Sequence, residues 1–217
     1  PGLAHQFMTK FFGVPITIPY TLGDLAKDTI SILDALELPA AHLVGFSMGG
    51  MICQIAAGRY PKRVLSLTSM MSNCGAYGSG RPTFRVSLQM IKRPSKTKSA
   101  VDNSVETLQM IGSPKYPVSD GSLRAMIVAE AKRARNPHSY FRQIAAINIA
   151  ADRSDLLKSL KMPVLVISGE DDPLAQADGG IATASYIPHA TLRILPGVGH
   201  DLPKPLLGDF AAMIAEN

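Results

Sequence analysis

The segment Gly45-Phe46-Ser47-Met48-Gly49 carries the strongest chemical signature in this sequence. Gly-x-Ser-x-Gly between a strand and a helix holds a serine on a tight, strained turn. Its hydroxyl then projects beyond the sheet edge at a helix N-terminus, where the helix dipole and the Met48 N–H favour developing negative charge. Glycines two residues to either side remove side chains that would clash in such a turn. As a bare pattern the motif recurs by chance, and its weight comes from the strand before it and the helix after it.

A serine hydroxyl is a poor nucleophile without a base, and the base needs an acid to orient it. The histidines are His5, His42, His138, His189 and His200. Where a serine sits on this kind of turn, the acid and then the histidine follow it along the chain. Only His189 and His200 lie late enough, after a strand and an acidic loop. His200 follows an expected strand within Pro196-Gly197-Val198-Gly199-His200, a loop at a strand's C-terminal end, where active-site residues gather in open α/β sheets. His189 precedes that strand and His42 begins another, so both belong at the opposite edge. The acid belongs on the loop Gly169-Glu170-Asp171-Asp172-Pro173, where Asp171 and Asp172 both qualify by location. Asp201 adjoins His200, but sequence neighbours rarely aim at each other's imidazole, and it reads as a solvated or helix-capping acid.

The elements that must position these residues follow from periodicity. Residues 1–20 lack a clean period and read as irregular. Thr21 opens a helix to about Leu38, with Asp24 in the capping-box position and Leu22, Leu25, Thr29, Ile32, Leu33 and Leu36 at helical spacing. Ala41–Phe46 reads as a buried strand, followed by a helix to about Gly58 and a strand over Arg63–Met70. That alternation predicts an α/β fold, a mostly parallel sheet flanked by helices. Residues 72–153 change texture and read as a helical insertion, with helical patches near 83–92, 101–111, 121–134 and 138–150. The core of residues 1–71 then resumes over 154–217, with a strand at Pro163–Ser168, a helix near 178–187, a strand at 190–195 and a helix near 205–215.

Composition sets the outer bounds. Hydrophobic residues make up 46% of the 217 and charged residues 18%, enough to bury a core. No apolar run is long enough to span a bilayer, and no signal peptide is evident. The two cysteines, Cys53 and Cys74, have no metal-type spacing, which favours a reducing, cytoplasmic compartment. Net charge is +5, yet residues 78–153 alone hold 13 Lys/Arg against 5 Asp/Glu. Those basic residues are scattered without aromatic interleaving or a nucleic-acid motif, so they read as a solvated surface and no nucleic-acid partner is expected.

The segments Val44–Gln54, Gly169–Pro173 and Gly197–Pro203 together resemble the α/β-hydrolase superfamily. They are most similar to its lid-bearing serine esterases, which include methyl-ester hydrolases acting on aromatic polyketides. The resemblance covers roughly residues 20–217. It implies that the acid is the Asp before Pro in Gly-x-x-Asp-Pro, which falls on Asp172, and that the base is the histidine of Gly-x-Gly-His, which falls on His200. The catalytic set is then Ser47, Asp172 and His200, with Met48 N–H as oxyanion donor. Residues 72–153 fall where the family places its helical lid. The implied activity is cleavage of small-molecule carboxylic esters through an acyl-enzyme, with no cofactor and no metal. Within the lid, Phe84, Met90, Met110, Met126, Tyr140 and Phe141 are candidates for an apolar acyl pocket, although packing between lid helices is the simpler expectation.

The sequence departs from the family pattern at its start. The strands that usually precede the first helix are not evident, nor is the His-Gly turn whose loop supplies a second oxyanion N–H. The expectation is therefore an N-terminally truncated hydrolase core whose Ala41–Phe46 strand becomes a sheet edge. An apolar edge of that kind invites pairing, either in a homodimer or with a missing N-terminal piece. The rival expectation is a catalytically impaired or binding-only form of the fold.

Overall fold

The computed structural model describes residues 18–91, 98–133 and 139–217. The irregular reading of residues 1–17 lies outside them. Thr21 starts helix α1 (Leu22–Ala35) with a reciprocal cap: its hydroxyl accepts from the Asp24 N–H at 3.1 Å, and the Asp24 carboxylate accepts from the Thr21 N–H at 2.8 Å. The end of the helix is equally well satisfied. Glu37 enters the left-handed region at φ 55°, and the Leu38 N–H reaches back to the Leu33 carbonyl at 2.9 Å. The Arg63 guanidinium closes the corner by donating to the Pro39 and Leu38 carbonyls and to Asp34.

The buried face of α1 differs from the expected stripe. It consists of Leu22, Ala26, Ile30 and Leu33, while Ile32 and Leu36 are exposed. Two apolar rows overlap in this helix. The row with the small Ala26 joins the core cluster that includes Ala56 and Ala57 of α2 (Met48–Arg59), and α1 packs against α2. Short side chains on facing helices let the backbones approach closely. Helix α2 is buried on most sides, through Gly50, Met51, Cys53, Gln54, Ile55, Ala56 and Ala57, which is why it shows no polar stripe.

The sheet comprises β1 (Ala41–Phe46), β2 (Val64–Met70), β3 (Val164–Gly169) and β4 (Thr191–Leu195), all parallel and in the order β1-β2-β3-β4. Between β2 and β3 the chain forms α3 (Phe84–Ile91), α4 (Ala100–Ile111), α5 (Asp120–Arg133), α6 (Ser139–Asn148) and the short α7 (Ser154–Lys158). The first four match the expected helical patches, apart from the ends at 92, 134 and 138, which lie outside the described residues. Helix α7 has no counterpart in the sequence reading, being a single turn too short for a periodic signal. Helices α8 (Ala177–Ser185) and α9 (Leu207–Ala215) complete the chain.

Strand alternation divides the core between the two sheet faces. Leu43, Leu67, Val164 and Val166 point into a cluster with α1, α2, α7 and Ile187, whereas Met70, Leu165 and Ile167 meet Val198 and Phe210 of α9. Every residue of β3 is buried, as its unbroken apolar run requires. Strand β1 is different. Among the described residues it is an edge strand with one covered face, so Leu43 and Gly45 are buried and Val44 is 47% exposed. The sequence reads Ala41–Phe46 as a buried strand, which holds for one face, and as the edge of the sheet, which it is among the described residues.

Because all four strands run the same way, their C-terminal ends share one edge of the sheet. Ser47, Ser72, Asp172 and His200 lie on the chain just beyond those ends. That shared edge brings together residues up to 153 positions apart in sequence.

Candidate active site

The turn after β1 holds Ser47 at φ 53° and ψ −120°, a left-handed conformation that costs a non-glycine residue about 1–3 kcal/mol. Neighbouring contacts impose it. The Ser47 N–H donates to the Met70 carbonyl at 2.8 Å, and the Ser47 carbonyl accepts from Gly50 N–H at 3.0 Å to begin α2. A Cβ on Gly45 would lie 2.3 Å from the Gly49 carbonyl oxygen, so only glycine fits there. Gly49 itself faces open space among the described residues, which corrects the expectation that both motif glycines relieve a clash. The second crowded position is Gly50, whose added Cβ would stand 2.7 Å from Ser72 Cβ. Met48 is the first residue of α2, so its N–H belongs to the helix turn that lacks intrahelical acceptors.

His200 Nε2 lies 2.9 Å from Ser47 Oγ, and His200 Nδ1 lies 2.7 Å from Asp172 Oδ2. A carboxylate only accepts, which places the ring proton on Nδ1 and leaves Nε2 to accept from the serine hydroxyl. Asp172 is 2% exposed and His200 8%. The other carboxylate oxygen, Asp172 Oδ1, accepts from the Leu174 and Ala175 N–H groups, each at 2.8 Å, so the carboxylate cannot rotate freely. The Phe46 ring flanks the imidazole, with centroids 5.1 Å apart at a 52° tilt.

The neighbouring acids have other partners. Asp171 accepts from Gly197 N–H at 3.0 Å, which ties the acid loop to the histidine loop. A Cβ on Gly169 would fall 2.3 Å from the Val198 carbonyl, so the two loops are in backbone contact. Asp201 does not reach the imidazole. It is partly exposed and caps no helix N-terminus among the described residues; its carboxylate accepts from both the N–H and the hydroxyl of Ser113.

The remaining histidines stand apart. His42 Nδ1 on β1 is 2.8 Å from Ser66 Oγ on β2, and His189 Nε2 donates to the Met162 carbonyl at 2.8 Å. His189 lines a cavity of about 300 Å³ with Pro163, Thr191 and Arg193, at the N-terminal ends of β3 and β4 and away from Ser47. His5 and His138 lie outside the described residues.

Sequence reasoning missed Arg153. It is 5% exposed and donates to Gln54 Oε1 at 3.0 Å, Ala151 O at 3.1 Å and Asn73 O at 2.7 Å. Burial pulls its guanidinium below the ordinary arginine value. Gln54 in turn donates to Ser69 Oγ at 3.0 Å. The two ends of the helical segment are thereby fastened to α2 beneath the serine turn. Cys53 and Cys74 are free and buried, and burial pushes the Cys53 thiol up to about 11.

Of the candidate pocket residues, Phe84 is almost fully exposed, Met126 and Phe141 are partly exposed, and Met90 and Met110 are half-buried. The Tyr140 side chain lies outside the described residues. Among the described residues no three His, Cys, Asp or Glu side chains cluster in a way that could hold a metal ion, and no helix is long and apolar enough to cross a membrane.

A parallel sheet with a serine on a strained turn and a histidine on the last strand's loop defines a class of protein. The chain belongs to the alpha/beta hydrolase fold family, whose model matches residues 13–203. Among characterised relatives it is 26% identical over 216 residues to the rhodomycin D methylesterase DauP of Streptomyces sp. (strain C5), covering 90% of this chain and 72% of that protein. It is 24% identical over 189 residues to 3-oxoadipate enol-lactonase 2 of Acinetobacter baylyi, covering 82% of this chain and 63% of that one. Among solved structures it is similar to the meta-cleavage product hydrolase of Pseudomonas fluorescens IP01. The TM-score there is 0.69 at 19% identity, over 93% of this chain and 72% of the other, a likeness of fold. The relatives support hydrolase activity for this chain.

Proposed function

We propose that this chain is a serine hydrolase of carboxylic esters in which Ser47 is the nucleophile, His200 the general base and Asp172 the orienting acid. The observation that carries the reading is the hydrogen-bonded file from Ser47 Oγ through the imidazole to Asp172, at 2.9 and 2.7 Å, at a helix N-terminus. Ser47 Oγ bonds to the ester carbonyl carbon while its proton passes to His200 Nε2. The Met48 N–H stabilises the resulting oxyanion. The tetrahedral centre then releases the alkoxide, which takes the proton from Nε2 and departs as the alcohol. Water repeats the sequence on the acyl-enzyme, leaving the carboxylic acid and free Ser47. No cofactor and no metal enter this cycle.

Residues 72–153 act in this reading as a lid over the site, and their scatter of basic groups is its solvated surface. Among the described residues β1 lies at the edge of the sheet, which supports pairing with a further strand, in a homodimer or with an additional N-terminal segment. The methylesterase and lactonase relatives both cleave C–O acyl bonds by name, which favours oxygen esters over amides as the substrate class. Two free, buried cysteines fit a reducing, cytoplasmic compartment.

Hydrolysis of short p-nitrophenyl esters by the purified chain, with Ser47→Ala in parallel, tests the reading. Turnover that disappears in the variant supports it. Equal rates in the two proteins, or no turnover from a folded wild type across acyl lengths, would favour the binding-only alternative.

A further inference from the structure

Core contacts hold only part of the histidine loop. Glu170 N–H donates to Leu195 O and Asp171 N–H to Val198 O, both at 3.0 Å, which anchors residues 195–198 to the acid loop. The next three residues are gripped from the other side, by the end of α4. His200 N–H donates to the Ile111 carbonyl at 2.7 Å, and Gly199 N–H donates to Ser113 Oγ at 2.9 Å. The Ser113 hydroxyl donates to Asp201 Oδ1, and the Ser113 N–H donates to Oδ2 at 3.2 Å. Ser113 is 3% exposed, and a Cβ on Gly199 would stand 2.4 Å from the Gly112 carbonyl, so the two segments are in backbone contact. One hydroxyl thus accepts from the residue before His200 and donates to the residue after it. Such a three-point hold fixes both the position and the rotation of the intervening peptide.

We propose that Ser113 and Asp201 are positioning residues that set the His200 imidazole from the helical segment, so that the seating of α4 is coupled to the alignment of the base. The inference rests on the triad reading above. It assigns the pair no contact with substrate. A displacement of about 1 Å in a reacting group costs up to 10²-fold in rate, and a loosened loop permits movement on that scale.

Two readouts separate this inference from the triad reading. The first is hydrogen exchange of the Gly199 and His200 amides in the full chain, which needs no turnover. We expect exchange at least about tenfold faster in Ser113→Ala and in Asp201→Ala, with the Asp171 amide unchanged as an internal control. The second is steady-state kinetics. We expect kcat to fall by about 10- to 100-fold with little change in KM, and the double variant to lose clearly less than the product of the single losses, because the Ser113 hydroxyl–Asp201 contact is cut in both. Unchanged exchange at Gly199 and His200 would overturn the proposal, as would a loss confined to KM or fully additive losses. Should Ser113→Ala fail to fold, Asp201→Asn keeps the shape and an acceptor and is read in the same way, with a smaller effect expected. A wild type without Ser47-dependent turnover would sink the triad reading, and the exchange data would still decide whether the clip exists.

Discussion

Asparagine at position 172 separates orientation from shape, and its effect can be worked out from the contacts. Asp172 Oδ1 accepts two backbone N–H groups at 2.8 Å, while Oδ2 faces His200 Nδ1 at 2.7 Å. In Asp172→Asn the amide has one acceptor and one donor to place. Keeping the carbonyl on Leu174 and Ala175 turns the NH2 toward Nδ1, which must then accept, so the ring proton moves to Nε2. The imidazole then points a proton at Ser47 and cannot take one. The opposite flip restores the tautomer but leaves the buried Ala175 N–H and the part-buried Leu174 N–H facing a donor, at about 1–3 kcal/mol for the buried one. The wrong tautomer therefore dominates, and kcat should fall by about 10⁴, the scale known for such a change in serine triads, or roughly 5.5 kcal/mol of barrier. Asp171→Asn is the matched control, because among the described residues Asp171 accepts from Gly197 N–H and does not face the imidazole, and it should stay within about tenfold of wild type. Ester hydrolysis with thermal melts on both variants checks this. An Asp172→Asn enzyme within tenfold of wild type, or an Asp171→Asn loss of the larger size, would refute the reasoning.

The serine turn makes a second contrast. Gly45→Ala places a methyl 2.3 Å from the Gly49 carbonyl and should destabilise the fold by about 3 kcal/mol, whereas Gly49→Ala meets nothing among the described residues and should lie within about 0.5 kcal/mol; urea melts of both report it. Arg153→Met should cost roughly 2–4 kcal/mol in the same melts, because the Gln54 amide and two carbonyls lose their buried donor. Asp102 is held down to about 2 by hydrogen bonds from Ser99 and then by Arg124. A depressed carboxylate stabilises the folded state above its unfolded value and loses that effect as pH falls through about 2. Stability should therefore decline between about pH 4 and 2, and Asp102→Asn should flatten that part of the profile. An identical slope in the variant would count against the assignment.

Some of this architecture is written in the sequence and some is not, for physical reasons. Strand β1 and the cap of α1 are legible because a short apolar run and a Thr-x-x-Asp pair are local signals. The buried face of α1 is not, since the rows through Ile30 and through Ile32 have equal spacing and the choice depends on the fit of Ala26 against α2. The serine turn is legible from five consecutive residues, yet the need for Gly50 arises only where it meets Ser72. Asp171 and Asp172 are indistinguishable by position, and the loop geometry sends one to Gly197 and the other to His200. Ser113 and Asp201 are 88 residues apart, and although Asp201 adjoins the histidine of its loop, nothing at Ser113 marks it as the partner, so their contact has no sequence signal. Arg153 is equally silent, because a buried arginine satisfied by carbonyls looks like any other basic residue in a basic segment.

The account rests on a covalent bond at one oxygen. Incubation with a slowly deacylated ester, acid quench and peptide mass spectrometry would locate the acyl group. The account predicts one acyl group per chain, on Ser47, absent from Ser47→Ala and accumulating in step with release of the alcohol. An acyl group on another residue, or steady alcohol release with Ser47 unmodified at every quench time and undiminished in Ser47→Ala, would contradict it.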